Sequence, residues 1–327
     1  MKILYISCHS ILEYDELRIL HDLGHEVFSI GAYINPKTPH VSMRPPLNYD
    51  IDPFLMDQYN RHNLSKEFIN NFDCIIIMHM TSVLEKYWDI LKNKITILRT
   101  IGQNVADNEL QLQKYVKEGL KILRYSPKER ELNNYAGESG LIRFLKYKSD
   151  FKTRNPIKQS VISFGQAVKQ RGPHCGSIYI EEIAKRVPFK LFGPHNEEYN
   201  FFGGLISYED QLIELSTNNC YFYTGTYPAQ YTLNFIEALM AGIPIVSLSE
   251  NITYKLINSF PFEVPLILDM ISGYHYNDIN DISNQFNILL NDISLNNEIS
   301  KKQIEIGNML FSAEYNKHEW TNFLNTL

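Results

Sequence analysis

The chain has 327 residues, 44% hydrophobic and 21% charged, too long for one ordinary core and too apolar for disorder, so a folded chain of two domains is expected. Net charge is −6, and no run reaches the roughly 18–20 apolar residues that cross a membrane, which points to a cytoplasmic protein, peripheral at a membrane surface at most. Cys8, Cys74, Cys175 and Cys220 are scattered without a CxxC pair, which reads as reduced core cysteines of a cytoplasmic protein and not as a disulfide or zinc framework.

Strand and helix signals alternate from the start. Residues 2–7 form a short apolar strand, not a signal peptide, because His9 and Glu13 follow closely. Residues 14–23 have helical spacing through Leu17, Leu20 and Leu23 and stop at Gly24. A second strand spans 26–30. FDCIIIMHM (72–80) is a continuous apolar run, as in a strand covered on both faces of a parallel sheet. A helix through Trp88, a strand at 95–100, a helix near 108–119 and a strand at 121–126 follow. Such alternation predicts an α/β fold with a doubly wound sheet.

Between residues 114 and 158, twelve Lys or Arg face five acids, so this segment carries +7 and the rest of the chain −13. A solvated helical face explains such a run. An anionic partner, whether nucleic acid, acidic lipid or acidic glycan, explains it too.

The polar stretch 150–158, with Asn155-Pro156, marks the domain boundary. Beyond it come strands at 161–166, 188–193, 220–225 and 243–248, and helices at 176–186, 207–217 and 232–241. From about residue 282 the chain is Asn-rich and helical, and 312–327 reads as an amphipathic helix with Trp320 and Phe323 on its apolar face. The expected domains are 1–155, joined by the last helix 312–327 crossing back, and 156–311.

The segment after strand 220–225 is the most informative. TYPAQY is a loop, and Thr232 is a good N-cap for the helix that follows. Gly242 stands at the stop position with Pro244 just beyond. Strand ends and helix starts in such sheets line the ligand crevice, and the free amides and positive dipole of a helix start suit a phosphate. Leu233, Ile236 and Met240 form the apolar stripe, with Glu237 at its edge. A carboxylate there is partly buried, which is costly unless it is paired. A ribose diol supplies two donors at once. A lysine neighbour at a partly exposed helix Glu is the plainer alternative.

YTLNFIEALMAGIPIVS resembles the signature of GT-B glycosyltransferases, in particular glycosyltransferase family 4 (group 1): a Glu, seven residues, then Glu-Ala-Met-Ala-x-Gly-x-Pro-Val-Val. The resemblance puts the ribose-binding second Glu on Glu237. The first Glu, which contacts the transferred sugar, falls on Ala229. Further pieces resemble the family in the same order: HDLGHEV (21–27), SPKERELNNYAGESGLIRF (126–144), VISFGQAVKQRG (161–172) and LFGPHNEEYNFFGGLISYEDQLIEL (191–215). In the third, a family Gly-Arg followed by Lys-Gly binds the donor diphosphate. Here Gly165-Gln166 and Arg171-Gly172 take those places, so Arg171 and Lys169 inherit the role, with Gln166 and Gly165 beside them. The resemblance implies a GT-B fold of two Rossmann-like domains facing a central cleft. It also implies a nucleoside diphosphate sugar as co-substrate, UDP or GDP in type. No cofactor or bound metal is implied, because cations and helix amides hold the leaving diphosphate. Tyr231 and the amides at Thr232 and Leu233 complete the donor side. Retention of configuration is implied, and the missing first Glu leaves inversion open.

Ser7-Cys8-His9-Ser10 stands where the family has a glycine-rich loop, and His9 and Ser10 follow the first strand, with Ser10 carried as a donor-side contact. His79 ends strand 72–80 where ligand-facing residues are expected, although a lone His is more often structural. Arg99, Gln103, Asn104, Asp107 and Glu109 fall near the acceptor-side catalytic region, where an acid serves as base for a hydroxyl. His79, Gln103 and Asp107 are the catalytic candidates. Arg124 and Ser126 follow the next strand and also point toward the site. Asp50-Ile51-Asp52 and the Asn/Asp cluster at 277–281 are weak metal motifs that turns explain equally well. Neither a GxGxxG nor a Walker loop is present, against a simple NAD enzyme or a kinase.

The expected activity is transfer of a sugar from a nucleotide sugar to an acceptor hydroxyl, by default on a surface polysaccharide or lipid-linked glycan. Modified bases of phage-type DNA are the alternative acceptor, because phage DNA glycosyltransferases share the GT-B fold and segment 114–158 is basic. A non-catalytic sugar-nucleotide binder is the rival of another class, since Ala229 and Gln166 are what decay of a transferase produces. A nucleotide-sugar epimerase is a further rival.

Overall fold

In the computed structural model, which describes residues 1–31, 44, 47, 64–102, 105–250 and 260–327, the chain divides into two units: Met1–Leu145 with Asn316–Leu327, and Lys146–Tyr315. The first unit alternates β1 (Lys2–Ile6), α1 (Ser10–Asp22), β2 (Glu26–Ser29), α2 (Lys66–Ile69), β3 (Cys74–Met78), α3 (Thr81–Leu91), β4 (Ile95–Arg99), α4 (Ala106–Lys117), β5 (Lys121–Arg124) and β6 (Gly140–Leu141). Its six strands pair in parallel in the order β2-β1-β3-β4-β5-β6. All five residues of β3 are buried, as its unbroken apolar run requires of a central parallel strand. Phe28, Phe68, Phe72, Ile75, Ile77 and Trp88 belong to the core on one side of this sheet.

Helix α1 begins at Ser10, ahead of the expected residue 14, for a polar reason. His9 caps it by accepting from the Leu12 N–H at 3.4 Å, and Glu13, Asp15 and Glu16 on its first turns are buried. Glu16 accepts from Arg99 Nε at 2.7 Å and from the Tyr5 hydroxyl. Acids on the inner face hide the helical period that apolar residues alone would display.

The second unit contains β7 (Lys158–Phe164), α5 (Val168–Arg171), α6 (Ser177–Ala184), β8 (Phe189–Phe192), β9 (Phe202–Gly204), α7 (Tyr208–Thr217), β10 (Asn218–Tyr223), α8 (Leu233–Ala241), β11 (Ile245–Leu248), α9 (Val264–Asp269), β12 (His275–Tyr276), α10 (Ile279–Asn291) and α11 (Ile293–Phe311). Its parallel order is β12-β11-β10-β7-β8-β9. Gly242 ends α8 in the left-handed conformation at φ +74°, and a Cβ there would meet Ile304 at 2.7 Å. The buried Gln303 of α11 then ties down the chain leaving the helix, donating to Ile243 O at 2.8 Å and accepting from Ile245 N at 2.9 Å.

The last helix, α12 (Ala313–Asn325), belongs to the first unit from Asn316 onward. The division falls at 145/146, ahead of the polar stretch at 150–158, because Lys146 is already tied into the second unit. Its N–H donates to Phe311 O at 2.8 Å and its carbonyl accepts from Ala313 N at 2.9 Å. No helix among the described residues is long and apolar enough to cross a membrane.

Candidate functional site

Helix α8 supplies the first part of the site. Thr232 occupies the N-cap position in extended conformation, but its hydroxyl makes no capping hydrogen bond. The amides of Leu233 and Asn234 make no hydrogen bond among the described residues. Two orphan donors at the positive end of a nine-residue helix form an anion-attracting surface. The Tyr223 hydroxyl at the end of β10 is buried against Thr232 and makes no hydrogen bond of ordinary geometry; burial pushes its pKa up, so it stays a protonated donor. The Asn234 side chain donates to Phe164 O at 3.2 Å, which fixes the helix start against the end of β7.

The loop after β7 supplies the second part. Ala167 adopts a left-handed conformation at φ +49°, which turns the strand abruptly into α5. Buried Asn196 pins the loop. It donates to Gly165 O at 2.8 Å and to Gly193 O at 3.0 Å, and accepts from Val168 N at 2.9 Å. A Cβ at Gly193 would lie 2.2 Å from Gly165 O, so this close loop approach requires glycine. Arg171 is half-buried, and its guanidinium makes no hydrogen bond or ion pair among the described residues. Lys169 is exposed and ion-paired with Glu198 at 2.9 Å, and that carboxylate raises its pKa. Gln166 is exposed. Gly165 offers no amide to a ligand, because its N–H is committed to Phe192 O at 3.0 Å.

Glu237 is 1% exposed. Its Oε1 lies 2.9 Å from Lys146 Nζ, and its Oε2 accepts from Gln211 Nε2 at 2.6 Å. A lysine neighbour is therefore present, but at a buried carboxylate instead of the expected partly exposed one. Tyr231 is also buried, edge-on to Phe311 at 5.3 Å, so its ring packs the approach to α8.

Sequence reasoning missed Lys146, Gln211, Asn196 and Tyr223. The only available signal was indirect: a carboxylate beside an apolar stripe demands a partner, yet nothing in the sequence names it.

In the first unit, His79 follows β3 in a left-handed conformation at φ +60°, half-exposed, its N–H donating to Arg99 O at 2.9 Å. The loop after β1 lies beside it, with Cys8 Sγ 3.5 Å from Met78 O. Ser10 is buried in the first turn of α1, and half-exposed His9 is its cap. Asp107 is exposed in the first turn of α4, a position where an acid also favours the helix dipole. Gln103 and Asn104, like Asp50, Ile51 and Asp52, lie outside the described residues. Arg99, Glu109, Arg124 and Ser126 are fully buried. Arg124 holds Glu109 in a two-pronged ion pair at 2.6 and 2.7 Å, and Ser126 forms a capping box with Glu129. The hydrogen bonds of these four stabilise the first unit.

The cations of the basic segment 114–158 do not share one role. Arg124 and Lys146 are buried in ion pairs, Arg154 binds backbone carbonyls, and Lys128, Arg130 and Lys158 pair with Glu131, Glu138 and Glu214. Lys114, Lys117, Lys121, Lys148 and Lys152 are exposed, and they are divided between the two units. No group of His, Cys, Asp and Glu among the described residues is arranged to hold a metal.

No protein-family model matches the chain. No curated protein matches its sequence. Solved structures do match its fold. HepE of Anabaena, in complex with UDP and glucose, superposes with a TM-score of 0.66 at 12% identity over 100% of both chains. A glycosyltransferase from Rickettsia africae gives 0.66 at 12% identity over 99% of this chain and 98% of that one. An α-glucosyltransferase, AGT, in complex with UDP gives 0.62 at 12% identity over 99% of this chain and 100% of that one, and it is also solved with UDP-glucose and DNA containing an abasic site. The chain has the GT-B fold of these glycosyltransferases, two parallel six-stranded sheets with helices.

Proposed function

We propose that the chain is a glycosyltransferase that moves a sugar from a UDP-sugar to an acceptor hydroxyl, with the donor bound by the second unit. The observation that carries this reading is the start of α8. The unsatisfied amides of Leu233 and Asn234 are held against the end of β7, and the turn after β7 leads into α5, which ends at Arg171. As the acceptor hydroxyl attacks the anomeric carbon, charge grows on the departing diphosphate. Fixed donors there stabilise it more in the transition state than in the ground state. Arg171 supplies the principal cation, Lys169 joins it by releasing Glu198, and Glu237 holds the ribose. In the first unit, His79 serves as base for the acceptor hydroxyl, and Asp107 is the second candidate. A retaining family 4 reaction, with the sugar-contacting carboxylate lost at Ala229, is the finer form of this reading. The anomeric configuration of the product, read by NMR, tests that form.

One set of assays decides the rest. UDP should raise the melting temperature more than GDP, ADP or CMP, because a ligand that binds only the folded state stabilises it by mass action. Arg171→Ala should weaken UDP binding by about tenfold, the scale of one charge-assisted contact. His79→Ala should lower kcat by about 10²-fold or more while leaving UDP affinity unchanged. Binding without UDP release in the presence of any glycan or DNA acceptor would instead identify a non-catalytic binder.

The default acceptor is a surface polysaccharide or lipid-linked glycan. Likeness to AGT, solved with DNA, supports modified DNA bases as the second reading. Association with DNA that weakens steeply between about 50 and 200 mM salt is its signature, and flat or absent association rejects it.

A further inference from the structure

Lys146 and Gln211, both partners of Glu237, differ in character. Lys146 is 1% exposed, and its backbone is fixed on both sides, by Phe311 O at 2.8 Å and Ala313 N at 2.9 Å. Its ammonium therefore reaches Glu237 Oε1 from an anchored base, at 2.9 Å. Gln211 is half-exposed on α7, and its side-chain amide makes no other hydrogen bond among the described residues. A carboxylate oxygen accepts more than one hydrogen bond, but the 2.6 Å contact with Gln211 occupies the approach to Oε2.

We infer that Lys146 is the positioning residue of the donor site and that Gln211 is a removable cover over it. Lys146 keeps Glu237 aimed. Gln211 donates to Oε2 when no nucleotide is bound and withdraws when a ribose hydroxyl donates there instead. The exchange of one neutral donor for another leaves the buried charge pair intact. Loss of Lys146 instead breaks a buried ion pair, which is severe. The inference rests on the ribose role proposed for Glu237.

Opposite effects of the two partners test it. Binding of UDP and 2′-deoxy-UDP to the full chain is measured by calorimetry for wild type, Glu237→Gln, Lys146→Met, Lys146→Arg and Gln211→Ala. Lys146→Met should weaken UDP about tenfold and erase the preference for UDP over 2′-deoxy-UDP, whereas Lys146→Arg should retain that preference. Gln211→Ala should bind UDP about threefold tighter, since a competing neutral hydrogen bond is gone. A wild-type preference in Lys146→Met, or UDP binding in Gln211→Ala no tighter than wild type, overturns the inference. If Lys146→Met does not fold, Lys146→Arg and the half-exposed Gln211→Ala decide it, and loss of the preference in Lys146→Arg counts against it. Glu237→Gln separates the two levels: an unchanged preference there means that the ribose reading itself has failed.

Discussion

Arg124 serves two carboxylates at once. Glu109 takes both prongs of its guanidinium, while Glu129 Oε1 sits 3.5 Å from Nη1 without a hydrogen bond. Two buried acids and one buried cation leave an excess negative charge. Burial accordingly pushes the Glu129 carboxyl above its ordinary 4.5, and Arg124 and the hydrogen bonds from Thr100, Tyr125 and Ser126 oppose this only in part. The folded chain then keeps a proton that the unfolded chain gives up. Its contribution to stability is whole below about pH 4.5 and is lost as pH rises through the higher folded value. Glu129→Gln cannot ionise, so it should gain stability relative to wild type across that window, by about 1.4 kcal/mol for each unit of elevation. Urea unfolding of both proteins from about pH 4.5 to about pH 8 checks the sign, and a flat or reversed difference rejects it. None of this was legible in SPKERE, where Glu129 looks like one charge in a solvated run. Glu237 was legible as a residue needing a partner, but its partner Lys146 lay far away in the sequence, inside a segment that reads as surface.

Elements with a long apolar period were legible; those defined by polar contacts were not. β3, β4, β10 and α8 stand close to their expected positions because their burial is written as unbroken or striped hydrophobicity. β6, β9 and β12 are two or three residues long, too short for any period, and went unforeseen. The stretch 150–158 was expected to be a polar boundary, but it closes the end of α7. Arg154 donates to Leu215 O at 3.2 Å, Ser216 O at 3.3 Å and Asn219 O at 3.0 Å, and also binds Asn218 O. The last carbonyls of a helix lack internal partners and carry the negative end of its dipole, which is where a buried cation without a carboxylate finds its counter-charge. Burial lowers the Arg154 pKa to about 10, still charged at neutral pH. Arg154→Met should therefore destabilise the second unit by about 3 kcal/mol, because several buried acceptors lose their donor together. Arg154→Lys should fall between, since one ammonium cannot span the same fan of carbonyls. Denaturant midpoints for the three proteins test the order, and a Lys variant no better than Met contradicts it.

At the scale of the molecule, the sequence announced two α/β units and the return of the last helix, since the strand–helix alternation starts twice and Trp320 and Phe323 mark a buried face far from either run. What it hid was the chemistry of that return. Trp320 is fully buried, with the Arg99 guanidinium 5.9 Å from its ring centre. Phe323 packs so closely on Gly140 that a Cβ there would lie 2.7 Å from its ring. Residues 316–327 are thus part of the first unit's core, although they follow the whole of the second unit in the chain. Unfolding should reflect this. Trp320→Ala should cost the first unit about 3–5 kcal/mol, the range for emptying a large aromatic site. Deletion of 316–327 should cost it more, since Arg99 also loses its aromatic cover. In both variants the second unit should keep wild-type UDP affinity, because Lys146, Gln211, Glu237 and the start of α8 all lie within Lys146–Tyr315. Calorimetric melting with a parallel UDP titration separates these outcomes. A lowered first transition with intact UDP binding fits two independently stable units. Loss of UDP affinity in step with the first unit's stability would mean that the units fold as one cooperative body.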